Sequence, residues 1–182
     1  MRLRLRNESG FGLVELLMAI VLLNIGILAI VAAFNAGIVS LNRASRISTG
    51  ASLADAQMEL YRALTWDAIA LDSSTIPGTS PYNTDSAYSA TQVTTTCTGS
   101  PKPNQCNASR SVVGPDRKKY RVDTYVVLST ASTTPPTPAG GRPVKIVTVV
   151  VRDGNKLTAR PYAREASTFD QSTGSVTLDP NG

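Results

Sequence analysis

The sequence contains no histidine among its 182 residues, and this absence removes several classes of function. Histidine is the commonest general acid and base, the usual partner of a nucleophilic serine or cysteine, and the commonest transition-metal ligand. A glycine-rich phosphate loop followed by Lys-Ser/Thr is also missing, and so is an acidic run with the spacing of a calcium loop. We therefore predict a protein that is not an enzyme and that holds no cofactor and no metal. An anchored hydrolase with a lysine base is the least favoured alternative.

Positive charge is scarce once the extreme amino terminus is set aside. The chain carries 18 Lys+Arg and 13 Asp+Glu, for a net charge of +5. Arg2, Arg4 and Arg6 contribute three of the positive charges and Glu8 one of the negative, which leaves +3 for the rest. Non-specific nucleic-acid affinity requires a concentrated row of cations, so we expect no nucleic-acid partner. The dense basic run at residues 117–121 is interpreted as a solvated loop edge, with a binding patch as the less favoured alternative.

Cysteine occurs twice, at Cys97 and Cys106, on either side of the turn-rich stretch TGSPKPNQ. In an oxidising compartment two cysteines so placed would pair. Free thiols in a reducing cytoplasm and a metal site are the alternatives, although two sulfurs without histidine cannot complete a zinc shell. We therefore predict a disulfide, on condition that the chain is exported.

A long apolar run extends from Phe11 to Val39, FGLVELLMAIVLLNIGILAIVAAFNAGIV, with Glu15 as its only charged residue. As a helix it would be about 44 Å long, enough to cross a hydrocarbon core of about 30 Å. The preceding arginines favour an amino terminus in the cytoplasm. A secretory signal has an apolar region of only about 7 to 15 residues, and a lipoprotein signal needs a following cysteine. A plain signal anchor stays open but leaves Glu15 unexplained, because a carboxylate at the centre of a span costs about 2.5 to 3.5 kcal/mol.

The segment ESGFGLVE at residues 8–15 resembles the processing site of type IV prepilins. The resemblance implies that a membrane-embedded prepilin peptidase cuts between Gly10 and Phe11 and N-methylates the new terminal amine of Phe11. Glu15 would then be the fifth residue of the mature chain, one helical turn from that amine. Gly12 departs from the family pattern, where Ser or Thr is usual. In filaments of this family the glutamate of an incoming subunit meets the terminal amine of its neighbour, so the resemblance implies a role in assembly for Glu15.

The remaining sequence predicts an α+β arrangement. The helix is expected to continue beyond the apolar run as an amphipathic half that covers a small antiparallel sheet of three or four strands, an arrangement that matches the pilin fold by resemblance. Ser48, Ser52, Asp55, Glu59 and Arg62 are expected to face water. Residues 72 to about 110 are expected to form a long surface connection. The predicted strands are Lys119–Thr130, a hairpin of Pro143–Arg152 and Asn155–Arg160 with a tight turn at Asp153-Gly154, and Ala163–Phe169.

Three segments follow from this interpretation. Residues 1–10 form a prepilin leader peptide, residues 11–40 a transmembrane and filament-core helix, and residues 41–182 a globular head.

The resemblance implies a structural subunit of a type IV pilus or a type II secretion pseudopilus, and we expect a minor subunit at the tip or in priming. Its partners would be other pilins or pseudopilins, prepilin peptidase and an inner-membrane assembly platform. It would lie in the cytoplasmic membrane as a single-pass protein before it joins a surface pilus or periplasmic pseudopilus. The alternative is a membrane-anchored extracytoplasmic binding module that never polymerises.

Overall fold

The chain folds as one long helix followed by short irregular elements and an antiparallel sheet. The computed structural model describes residues 12–130 and 143–171. The chain divides into two compact units, Met1–Ala44 and Ser45–Gly182. The elements are the helix α1 (Leu13–Arg62), three short 3-10 helices (Trp66–Ala68, Ser73–Thr75, Asn104–Cys106) and the strands β1 (Leu71–Asp72), β2 (Thr94–Thr95), β3 (Ser109–Val113), β4 (Lys119–Thr130), β5 (Pro143–Asp153) and β6 (Ala163–Asp170).

The first unit is described from residue 12 as the amino-terminal part of α1. Leucine, alanine and methionine supply high helix propensity there. Every large apolar side chain from Leu13 to Leu41 is exposed, so no residue in the described ranges covers this surface. By length and composition α1 contains a stretch that could cross a membrane. Asn24, a polar residue inside this stretch, donates its side-chain amide to the carbonyl of Ile20 at 3.0 Å, which satisfies one of its hydrogen-bonding groups within the helix.

In the second unit, the remaining part of α1 packs on a four-stranded antiparallel sheet with the order β3-β4-β5-β6. Ala54, Met58 and Tyr61 of the helix are buried in the same apolar core as Val122 and Val149 of the central strands. Gly50 is buried at the contact, where an added Cβ would lie 2.8 Å from the Cβ of Tyr162. Gly50 therefore allows close approach of helix and sheet.

The five polar residues predicted to face water, Ser48, Ser52, Asp55, Glu59 and Arg62, are all exposed. Helical periodicity also predicts an apolar stripe of Ile47, Ala51, Ala54, Met58 and Tyr61, and this prediction was wrong for the first two. Ile47 is 43% exposed and Ala51 is also exposed. Burial of the helix therefore begins at Gly50 and reaches Tyr61, because the sheet covers only that part of the second unit's helix.

Residues 72–110 are not simply a surface connection, which corrects the sequence-based expectation. The stretch contains β2 and the start of β3, and its part around Tyr82 and Asp85, here called the covering layer, packs on the strands β4, β5 and β6. Tyr82 is fully buried there and stacks on Tyr125 of β4 with ring centroids 4.4 Å apart. Its hydroxyl donates to the carbonyl of Thr124 at 2.8 Å. Large side chains are few in this stretch and are separated by serine, threonine and proline. Composition therefore did not indicate that part of the stretch packs on the sheet and buries its central strands on both faces.

The bounds predicted for the strand Lys119–Thr130 are confirmed by β4. Alternation along the strand predicts Leu128 on the same buried face as Val122 and Val126, but Leu128 is 50% exposed. The predicted returning strand Asn155–Arg160 was wrong. β5 ends at Asp153, whose carboxylate accepts hydrogen bonds from the backbone N–H groups of Asn155 and Lys156. These bonds hold the chain in a turn, and pairing with β5 resumes only at β6.

Candidate functional site

Glu15 is placed in the first turn of α1. Its backbone N–H donates to the carbonyl of Gly12 at 2.9 Å, and its side chain is exposed. A carboxylate there interacts favourably with the amino-terminal end of the helix dipole. It forms no ion pair with any residue in the described ranges 12–130 and 143–171. Gly10 and Phe11 lie outside those ranges, so the cut, the methylation and the Phe11–Glu15 pair stay predictions.

The apolar surface of α1 carries gaps where small residues interrupt the large side chains. An added Cβ at Gly26 or Gly37 would meet nothing within 4 Å. Around Gly37 the apolar residues form a shallow groove, lined by Ile30, Ala33, Phe34, Gly37, Ile38 and Leu41. Small residues at such positions allow the backbones of neighbouring apolar helices to approach closely. This surface can thus pack against lipid or against similar helices.

The predicted disulfide between Cys97 and Cys106 is confirmed. The loop that it closes is docked on the carboxyl-terminal half of α1. The Tyr61 hydroxyl donates to the carbonyl of Gln105 at 2.6 Å, and the Gln57 side-chain amide donates to the carbonyl of Asn104 at 3.3 Å. The loop is therefore held by the helix as well as by the covalent cross-link.

Asp72 anchors the other side of the disulfide loop, and sequence reasoning missed it. Its carboxylate accepts from the Lys102 ammonium at 2.7 Å and from the backbone N–H groups of Cys97 and Ser74 at 2.8 and 2.9 Å. The Lys102 contact, with help from Ser74 and Cys97, holds the pKa of Asp72 well below its usual range. The available signal was Asp-Ser-Ser, which is typical of a residue that caps a short helix, and Asp72 does cap Ser73–Thr75.

A second buried carboxylate, Asp85, joins the covering layer to the sheet. It pairs with Arg152 of β5 and with Arg164 of β6, the latter at 2.7 Å from both carboxylate oxygens. Burial raises the pKa of Asp85, but the hydrogen bonds from Arg164 and the backbone of Ala87 outweigh it, so the net shift is downward. Arg152 also lies 3.5 Å from the carboxylate of Asp123. These paired charges connect the covering layer to the sheet.

Within the described part of the chain, no group of three or more Cys, Asp or Glu side chains could hold a metal ion. The arrangement instead consists of an exposed apolar helix with a carboxylate at its start and a sheet domain stabilised by a disulfide and buried ion pairs.

Comparison with known proteins identifies a family motif in the amino-terminal segment. Residues 5–31 match the family model of the prokaryotic N-terminal methylation motif, the prepilin-type motif of type IV pilins and pseudopilins. The match includes Gly10, Phe11 and Glu15 and extends through most of the apolar run. No curated protein and no solved structure matches the chain. The α+β layout described above matches a pilin fold.

Proposed function

We propose that this chain, a processed subunit of the type IV pilin and pseudopilin kind, is cut between Gly10 and Phe11 and assembles into a filament through α1. The observation that supports this proposal most strongly is that every large apolar side chain of residues 13–41 is exposed. The methylation motif overlaps this surface. Such a surface requires lipid before assembly and neighbouring helices afterwards.

Glu15 can fix the axial register in which neighbouring helices pack along this surface. Cleavage creates an ammonium group at Phe11, and within one helix a residue four positions later faces it. When subunits pack, the amine of one chain and the carboxylate of another can neutralise each other inside the apolar bundle. Misplacing either charge leaves it uncompensated, at a cost of several kcal/mol. The carboxylate of Glu15, which is exposed and has no ion-pair partner among residues 12–130 and 143–171, supports this role.

We further propose a minor subunit that primes assembly or sits at the tip of a pilus or pseudopilus. The stretch LLNIGILA at residues 22–29 supports this assignment by its resemblance to minor subunits. Prepilin peptidase and an inner-membrane assembly platform would be its partners. Quantitative proteomics of sheared filaments should find the chain far below a partner pilin, whereas its presence as the dominant subunit would reverse the assignment.

The experiment on Glu15 compares the Glu15→Ala variant with Glu59→Ala, which removes an exposed carboxylate of the head. Glu15→Ala should reduce incorporation into filaments about tenfold or more, because the amine of the neighbouring subunit loses its partner. Glu59→Ala should leave incorporation unchanged. Both variants should remain in the membrane after alkaline extraction, and the mature protein should begin at Phe11 on terminal sequencing.

Two outcomes would contradict the proposal. Assembled protein that retains Met1 would end the processing claim. A filament yield of Glu15→Ala equal to that of wild type would refute the role in register, and a chain that inserts but never leaves the membrane would favour the non-polymerising binding module.

A further inference from the structure

A basic pocket lies in the second unit, where the β3–β4 turn meets the segment after β5. Its volume is about 590 Å³. Five of its lining residues are cationic and one is acidic. The lining residues that carry the argument are Arg46, Arg117, Lys118, Lys119, Lys156 and Asp153. We propose that this pocket binds the phosphate group of an anionic phospholipid headgroup.

The positive charge of the pocket is largely uncompensated. Asp153 accepts from Arg46 at 2.8 Å and from the Tyr162 hydroxyl at 2.9 Å, so its charge is already engaged. Lys119 and Lys156 are exposed, and in the described ranges their side chains form neither a hydrogen bond nor an ion pair. An anion entering the pocket would therefore meet free ammonium groups beside a guanidinium that Asp153 holds in place.

Arg117 occupies a backbone conformation that favours glycine. Its φ is +58°, in the left-handed region where a side chain is disfavoured and where Gly or Asn is usual. The turn is closed by hydrogen bonds from Gly114 N to Lys118 O and from Arg117 N to Gly114 O, both 2.9 Å. Glycine at this position would relieve the strain, so the arginine is unfavourable for the turn but adds a guanidinium to the pocket. Such local strain is typical of functional positions.

The chain itself keeps the pocket near the bilayer surface. Arg46 follows Leu41, the end of the exposed apolar run, by five residues. Even a fully extended chain of five residues spans at most about 18 Å. When Leu41 lies at the outer boundary of the hydrocarbon core, Arg46 is no farther than this from that boundary, and the headgroup layer occupies part of that distance. This inference rests on the membrane-anchored stage of the proposed function and requires neither cleavage nor assembly.

The test uses the full chain in a mild non-ionic detergent, with lipid binding followed by native mass spectrometry. Short-chain phosphatidylglycerol should bind, while phosphatidylcholine, which carries the same phosphate diester but has no net charge, should bind at least tenfold more weakly. Arg117→Gly and Lys156→Gln should each weaken phosphatidylglycerol binding about fivefold. Arg117→Gly should at the same time keep or raise the urea midpoint of unfolding, which separates binding from folding.

Arg62→Gln is the matched control. It removes one cation from the same unit, about 24 Å along α1 from Arg46, where Arg62 pairs with Glu59 and Glu165. Its affinity for phosphatidylglycerol should change less than twofold, because the separation exceeds the screening length of about 10 Å.

Each other outcome overturns a defined part of the inference. Equal retention of phosphatidylglycerol and phosphatidylcholine, or equal losses in Arg62→Gln and Lys156→Gln, would overturn the pocket as a headgroup site. Binding of inorganic phosphate as strong as that of phosphatidylglycerol would assign the site to a free anion. Binding of a short DNA duplex without lipid binding would assign it to nucleic acid. Failure of the chain to insert in membranes would instead refute the anchoring stage, and alkaline extraction measures that separately.

Discussion

Reduction of the disulfide should lower the free energy of unfolding of the head by about 2.7 kcal/mol. The cysteines are separated by 9 positions, and closing so short a loop removes about that much chain entropy from the unfolded state at 25 °C. The native loop should survive reduction, because Asp72 still accepts from the Cys97 N–H and Tyr61 still donates to the Gln105 carbonyl. The effect therefore arises mainly in the unfolded chain.

Urea unfolding of the full chain in detergent measures this effect, with and without reductant. Trp66, the only tryptophan, lies with its ring centroid 4.2 Å from the Lys145 ammonium, so its fluorescence reports on the folded head. With a urea dependence of about 2 kcal/mol per molar, the midpoint should fall by about 1.3 M on reduction. The Cys97→Ala/Cys106→Ala variant should unfold near the reduced midpoint and should not respond to reductant.

Two results would refute this reasoning. A midpoint shift worth less than about 0.5 kcal/mol would mean that the unfolded chain is already constrained near these residues. Loss of the Trp66 signal on reduction without urea would mean that the cross-link holds the native packing itself, and that Asp72 and Tyr61 do not suffice.

Two further predictions concern the head. The folded-state pKa of Asp72 is depressed below 3.8, so its stabilising contribution is complete above about pH 5 and is lost progressively as the pH falls below that value. The difference in unfolding free energy between wild type and Asp72→Asn should accordingly shrink between pH 5 and pH 2, and a constant difference would contradict the assignment. Gly154→Ala should cost about 1 to 3 kcal/mol in urea unfolding, because the added Cβ would lie 2.9 Å from the backbone of Lys119. An unchanged midpoint would show that the turn yields, and Gly78→Ala, where a Cβ meets nothing within 4 Å, is the matched control.

Local sequence signals predicted the features that depend on neighbouring residues alone. The methylation motif was identified by its resemblance to the prepilin processing site, and the apolar run by its composition. The outward polar side of α1 could be read from spacing, because a helix repeats every 3.6 residues. The bounds of β4 followed from alternation in the same way. The disulfide followed from the nearness of Cys97 and Cys106 in a short loop.

Tertiary structure decided the features that join distant parts of the chain. Asp85 and Arg152 are 67 positions apart, and no local pattern indicates that they meet beneath a layer of the 72–110 stretch. The basic pocket likewise combines Arg46 of the helix with Lys156, which follows β5. A charged residue considered by itself is predicted to lie on a solvated surface. Only the packing of the sheet shows which charged residues are buried in pairs and which line a pocket. The sequence by itself thus determined the anchor and the class of fold, whereas packing decided where the charges of the head meet.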